Sequence, residues 1–298
     1  MSRHSRAKLE RRRFGRRLTL PSILVVAALV ALPAALMVDQ SMRSVPPDGS
    51  RWGEFVGFQN YHRVLTSDVV WHSVFVTVVF TGGFVLVSTG IGLGMALLLN
   101  QAFFGRSLLR AVLVIPWACP WLIAGIVWKW FVDGDVGGLN SVLYRLGVVD
   151  DYVNFLASPT WALIVVVLAA AWRQASLVAL LLLAGLQTMP PELQQAAAID
   201  GAGVMQRFWH MTLPWLRPVM AIVTVLNLVY GLMQFDLVYT MTQGGPADAT
   251  TLTSILIYKQ MFTYTNLGAG SAIATVLAAM AATAGYVAVK VIYRRVEL

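Results

Sequence analysis

The sequence predicts an all-α integral membrane protein: six transmembrane helices, with a short helical segment in the loop between the fourth and fifth. Three observations carry this prediction. The 298-residue chain is 58% hydrophobic and only 12% charged, with a mean hydropathy of +0.69, whereas soluble domains carry about 25% charged residues. Six apolar runs, at roughly 21–41, 73–99, 108–131, 160–187, 215–240 and 270–292, each reach the ~20 residues needed to cross a hydrocarbon core. They are too long and too uniformly apolar for barrel strands of about 10 alternating residues. Finally, the basic residues fall on alternate loops, as the positive-inside rule requires.

The first element is a basic segment, residues 1–20, holding Arg3, Arg6, Lys8, Arg11, Arg12, Arg13, Arg16 and Arg17. It places the N-terminus in the cytoplasm. The run behind it exceeds the 7–15 residues of a signal-peptide core and lacks a clear small-residue cleavage site, so an uncleaved first span is expected. A basic cluster this close to a span reads as a topology and headgroup signal, and nucleic acid is not expected as a partner. Residues 21–298 form one membrane domain. Arg106 and Arg110, then Arg207 and Arg217, then Lys290, Arg294 and Arg295 mark the cytoplasmic side. Asp48, Glu54, Asp68, Asp133, Asp135, Asp150, Asp151 and Asp248 fall on the external loops. Both termini and the 190–214 loop are therefore expected in the cytoplasm. The single Cys119 and the four scattered histidines form no metal set. Gly82–Gly83 and Gly90–Gly94 read as helix-packing faces.

The 190–214 loop is the most informative stretch. Pro190 and Pro191 end the fourth span and suit the first turn of a new helix. Glu192 sits at that helix's positive end. Ala196, Ala197 and Ile199 give small apolar bulk, and Gly201 stands where a helix-ending residue with positive φ is wanted. Met205, Phe208 and Trp209 supply an apolar face, and Pro214 is expected to restart the next span. An interfacial helix lying on lipid is the alternative reading. Such helices carry many Lys or Arg residues around a broad apolar face, whereas this one has one Arg and mostly Ala, which suits packing against protein.

The segment resembles the EAA loop of the membrane subunits of bacterial ABC importers. The family pattern is Glu-Ala-Ala, two residues, Asp-Gly-Ala, then Phe and Leu-Pro; here it is matched at Ala196, Ala197, Asp200, Gly201, Ala202, Phe208, Leu213 and Pro214, while Gln195 stands where the family has Glu. GFQNYHRVL at 57–65, the run 108–131, DGDVGGLN at 133–140 and TQGGPADAT at 242–250 are similar to segments of the carbohydrate branch, the maltose and glycerol-phosphate type permeases. The resemblance implies a six-helix core paired with a second, similar permease subunit. It also implies two ATP-binding subunits below and an external solute-binding protein that delivers a sugar. ATP and Mg would be bound by the partners, with no cofactor in this chain. Glu192, Gln195, Ala196, Ala197, Asp200, Gly201, Ala202, Phe208 and Pro214 would form the coupling helix region that grips the ATPase.

Polar residues inside spans are costly and mark cavities or partners. Trp172, Arg173 and Gln174 lie mid-way along the fourth run, and Asn227, Tyr230, Gln234 and Asp236 along the fifth, where the spacing of the first three predicts one helix face. Hydrogen-bonding groups beside flat rings suit a sugar, and in similar permeases these two helices supply the sugar contacts. Trp172, Arg173, Gln174, Tyr230, Gln234 and Asp236 are therefore the candidate substrate residues. A buried Arg173–Asp236 ion pair, or polar glue between helices, is the competing reading. Lys129 is expected to snorkel at an outer edge. No phosphate-binding Gly-x-x-x-x-Gly-Lys-Ser/Thr segment is present, so ATP hydrolysis is not expected of this chain. A secondary transporter should show repeats and mid-membrane helix breaks. A membrane enzyme should show clustered His, Asp or Glu. Neither pattern is evident in the sequence.

Overall fold

The computed structural model describes the backbone of residues 3–44 and 53–293, and side chains from 19 to 44 and 53 to 290. Asp48, Arg294 and Arg295 lie outside the described residues, as do the side chains of the basic N-terminal segment. The described chain is helical. Its helices are α1 (Arg3–Ser41), α2 (Gln59–Leu65), α3 (Asp68–Asn100), α4 (Arg106–Ala118), α5 (Trp121–Phe131), α6 (Gly138–Arg145), α7 (Pro159–Gln187), α8 (Pro191–Ile199), α9 (Val204–Arg207), α10 (Leu213–Leu232), α11 (Asp236–Thr242), α12 (Thr253–Tyr258) and α13 (Leu267–Tyr293). Five helical runs are long and apolar enough to span a membrane: Thr19–Ser41, Asp68–Asn100, Pro159–Gln187, Val204–Leu232 and Leu267–Lys290. The α4–α5 pair makes a sixth if read as one bent span.

Two spans differ from the sequence expectation, the second at both of its ends. The run 108–131 is two helices meeting at 101°. Pro120 has no N–H to continue α4 and holds Cys119 extended, at φ −70° and ψ 127°. The run 215–240 stops at Leu232, and α11 begins only at Asp236, so Asn227, Tyr230 and Gln234 do not lie on one continuous helix. Packing is close on both sides of this second break: a Cβ on Gly231 would lie 2.7 Å from Thr81 Cγ2, and Phe235 stacks on Tyr239 with ring centroids 5.0 Å apart. The Ser254 hydroxyl donates to the Gln234 carbonyl that the break exposes. Lastly, Pro214 does not start its span, because helix already runs from Val204. A wider turn over Phe208–Thr212 lies just ahead of Pro214, where a regular turn would place an N–H that proline lacks.

The chain divides into two compact units. One is Met1–Thr66 with Lys259–Thr275; the other is Ser67–Tyr258 with Val276–Leu298. In the first, the Asn60 amide donates to the carbonyls of Ser41 and Arg43 at 2.9 and 2.7 Å and so ties α2 to the end of α1. Arg43 Nε lies 2.8 Å from Asp39. In the second, α3 and α7 pack along their lengths. Gly83 meets Val167, and a Cβ on Gly92 would lie 2.4 Å from Val178 Cγ1, whereas Gly82, Gly90 and Gly94 face open space. Two of the five glycines named from sequence therefore form the packing face. One apolar cluster surrounds Phe80, Phe84, Val166, Ala170, Leu237 and Ile255; another surrounds Leu99, Leu182, Leu216 and Val223. Between them along α3 lies a polar layer. Gln174 Nε2 donates to Asn227 Oδ1 at 2.8 Å, and Asn227 Nδ2 donates to Ser88 Oγ at 3.0 Å.

Candidate functional site: a cationic cluster at a helix break and an exposed helical platform

The first cluster forms where α7 passes the α4–α5 break. The last carbonyls of α4 have no helical donor, and the negative end of the helix dipole favours a cation there. Arg173 meets both needs. Its Nε donates to the Cys119 carbonyl at 2.6 Å, and its guanidinium lies 4.0 Å from the centroid of the Trp121 ring. Trp121 in turn leans on Phe84 at 6.4 Å, and Trp172 meets Trp128 edge to face at 6.1 Å. Two aromatic faces and a guanidinium are thus gathered around one bend. Among the described residues, no acceptor is bonded to Arg173 Nη1 or Nη2.

The structure spreads the candidate substrate residues rather than gathering all six. Trp172 and Arg173 face the α4–α5 break. Gln174, one helical step on, is buried in the Ser88–Asn227 layer and holds helices together. Tyr230 is 44% exposed. Gln234 is buried, yet among the described residues its Nε2 has no hydrogen-bond partner, and the same holds for the Thr81 hydroxyl beside the same break. A buried donor without an acceptor costs about 1–3 kcal/mol, so a ligand or water oxygen is expected there. Asp236 is exposed in the first turn of α11, where the helix dipole favours an acid. It is not the partner of Arg173, and the ion-pair reading falls. The sequence reading missed Trp121, the Cys119 carbonyl, Ser88 and Thr81. The Pro116/Pro120 spacing was the available signal for the first two.

The second feature is the platform. α8 closes in a left-handed turn: Gly201 has φ +80°, its N–H reaches the Ala198 carbonyl at 3.2 Å, and the Ala202 N–H reaches the Ala197 carbonyl at 2.9 Å. These two bonds satisfy carbonyls that the helix end leaves open. The Gly203 N–H then donates to Gln206 Oε1 at 3.0 Å and starts α9. Glu192, Gln195, Ala196, Asp200 and Gly201 are exposed, and Ala197, Ala202, Phe208 and Pro214 are partly exposed. Ile199 is 85% exposed and Val204 77%. An isolated nine-residue helix is marginal by propensity alone, and this one is exposed almost all round. Behind it lies a cavity of about 570 Å³ lined by Leu97, Gln194, Met205, Arg207, Phe208 and Thr212, among others.

On the loop after α5, Asp133 Oδ1 accepts from the N–H groups of Asp135 and Val136 at 2.9 and 3.0 Å. These two bonds hold its carboxyl below the usual carboxylate range. Asn140 binds the carbonyls of Asp133 and Val153 and closes the loop. The Gly-Gly-Pro turn is laced by Thr250 and Thr251, whose hydroxyls donate to the carbonyls of Gly245 and Gly244 at 2.7 and 3.0 Å. A cavity of about 420 Å³ lies between these two loops, and Lys129 lines it beside Asp133.

The architecture is that of a multi-span membrane protein with an exposed helical platform between two spans. Residues 87–298 match the family of binding-protein-dependent transport system inner membrane components. The chain belongs to that family. It is 38% identical over 268 residues to a trehalose/maltose transport system permease of Thermococcus litoralis, covering 89% of this chain and 87% of that one. It is 36% identical over 260 residues to a sulfoquinovosyl glycerol transport system permease of Agrobacterium fabrum, covering 87% and 84%. The fold matches a membrane chain in the crystal structure of a bacterial alginate ABC transporter bound to an alginate-loaded periplasmic protein. That match has a TM-score of 0.83 at 20% identity and covers 97% of both chains. The chain is a permease subunit of an ABC importer in the inner membrane; it works with a binding protein, and the ATPase is a separate subunit. Helix breaks, which the sequence reading reserved for secondary transporters, are thus present in an ABC permease and do not separate the two classes.

Proposed function

We propose that this subunit passes a sugar or sugar derivative from the external binding protein to the cytoplasm, paired with a second, similar permease subunit. Two partner subunits bind ATP and Mg and receive the α8–α9 platform; both termini and the platform face the cytoplasm. The observation that carries this reading is the platform itself: a glycine-capped helix exposed nearly all round, in the loop between two spans. Relatives named for trehalose/maltose and sulfoquinovosyl glycerol transport support the sugar class. Trp172, Arg173, Tyr230 and Gln234 are the residues placed to meet the substrate. Arg173 and Gln234 offer donors without protein acceptors, and the tryptophans offer flat apolar faces for a sugar ring.

Gly201→Val tests the docking role. The position needs φ near +80°, which costs a β-branched residue about 1–2 kcal/mol. Among the described residues, no heavy atom beyond its immediate chain neighbours lies within 4 Å of the new Cβ. Uptake and substrate-stimulated ATPase should fail while the subunit accumulates in the membrane normally. Survival of both activities at normal expression would overturn the docking role.

A further inference from the structure

Arg173 stands at the midpoint of α7, the Pro159–Gln187 span, where a charged side chain is costly and needs compensation. Its contacts are neutral. The Cys119 carbonyl accepts from Nε at 2.6 Å, and the Trp121 ring lies 4.0 Å from the guanidinium. Both attract the cation, and neither carries a countercharge. Among the described residues no carboxylate bonds Arg173. Nη1 and Nη2 are left on the outer edge of a planar fork, and neither is closed off from solvent. That edge has a floor. α7 and α10 run antiparallel, with Gly185 against Val219 and Leu216, and Gln174 bonded to Asn227 at 2.8 Å. Ser88, Gln174 and Asn227 are buried and make a closed polar layer. Arg173 precedes Gln174, and Tyr230 lies about one turn beyond Asn227, so both stand on the same side of that layer. The Tyr230 hydroxyl is within electrostatic reach of the guanidinium, and Tyr230 is 44% exposed.

Charge says what the open edge takes. A neutral hydroxyl accepts a hydrogen bond but leaves the cation uncompensated inside the span. An anion supplies the acceptor and the countercharge together. The guanidinium fork donates two parallel N–H bonds to two oxygens on one atom, which is the geometry of a carboxylate, a sulfate or a phosphate. Cys119 and Trp121 already hold the fork in one place, so little side-chain freedom is lost when a ligand seats on it. On the reading that Arg173 meets the substrate, we propose that the cargo is an acidic sugar, whose carboxylate, sulfate or phosphate seats on the Nη edge of Arg173 beside the Tyr230 hydroxyl. A neutral sugar meets the same rings with the cation unanswered and binds more weakly.

The test uses the importer assembled with its partner subunits, in detergent and without the binding protein, whose own selectivity would mask the membrane site. Glucose, glucuronate, glucose sulfate and glucose phosphate are each titrated at millimolar concentration, and binding is read by saturation-transfer NMR. Wild type should bind at least one of the three anions about ten- to a hundredfold more tightly than glucose, the contribution of hydrogen bonds to a charged group; the preferred sugar names the anionic group. The preference should vanish in Arg173→Gln and fall only in part in Arg173→Lys, which keeps the charge but loses the fork. If Arg173→Gln fails to assemble, the wild-type preference and its partial fall in Arg173→Lys decide. A wild type that binds glucose as tightly as the anions, as a countercharge from the paired subunit would cause, overturns the acidic class and leaves the sugar path standing. A preference that survives in Arg173→Gln overturns it too, because the anion then sits elsewhere. Displacement of the preferred sugar by an equal concentration of acetate, sulfate or phosphate, matched to its group, would mean an anion site without sugar recognition and overturn the acidic sugar. Binding of none of the four sugars would instead overturn the sugar path itself.

Discussion

At Arg173 the structure removes one sequence-level reading, the ion pair with Asp236, and shows a contact with the α4–α5 break whose contribution is measurable. The perturbation is Arg173→Ala. It removes a charged donor from the Cys119 carbonyl and a cation from the Trp121 face. Hydrogen bonds to charged groups contribute about 1.5–3 kcal/mol. A partly desolvated cation–π contact adds about 0.5–2 kcal/mol. The side chain is only half-buried, so we expect a net loss of about 2–4 kcal/mol, seen as a lower thermal midpoint of the purified complex. A double-mutant cycle apportions it. Arg173→Ala with Trp121→Ala should be coupled by about 1 kcal/mol, because the two side chains touch. Arg173→Ala with Asp236→Ala should be additive within about 0.5 kcal/mol, because they do not. Arg173→Lys keeps the charge and a donor but loses the flat stack, so it should recover part of the stability. Uptake is scored in parallel: if the outer nitrogens meet substrate, Lys should restore assembly more fully than transport. A coupling above 1 kcal/mol between Arg173 and Asp236 would refute the argument, since it would mean that the two charges meet.

Three other outcomes are expected. Gln234→Ala and Tyr230→Ala should each lower uptake several-fold with assembly and basal ATPase intact, since a neutral hydrogen bond is worth about 0.5–1.5 kcal/mol; unchanged uptake at low substrate would remove that residue from the path. Gln195→Glu should be tolerated, because the side chain is exposed and the change supplies the carboxylate that the EAA loop carries there; a severe loss of ATPase stimulation would show an interface built around an uncharged group. Gly92→Ala should destabilise the α3–α7 contact by about 1–3 kcal/mol, with a new Cβ 2.4 Å from Val178 Cγ1, while Gly94→Ala, facing open space, should be neutral or stabilising in a detergent melting assay.

The sequence by itself determined the class of fold, the location of the spans, the family and the platform. Each rests on a local or additive signal. Apolar length counts residues, and the Gly201 turn follows from the one residue type that adopts φ +80° without strain. What the sequence could not show was how the spans bend and which polar side chains meet. Pro120 marks a place where a helix can break, but only Arg173 arriving from α7, 54 residues along the chain, supplies the donor that keeps the break open. Asn227, Tyr230 and Gln234 have helical spacing. The helix that carries Tyr230 ends at Leu232, before Gln234, and burial gives each a different task. Gln174 looked like a substrate group until Asn227 and Ser88 were brought beside it. Asp236 looked like a counter-ion until it proved to begin a helix of its own. Periodicity is set by neighbours in sequence. The partner of a polar group inside a membrane is set by whichever distant helix reaches it, and only the tertiary structure decides that.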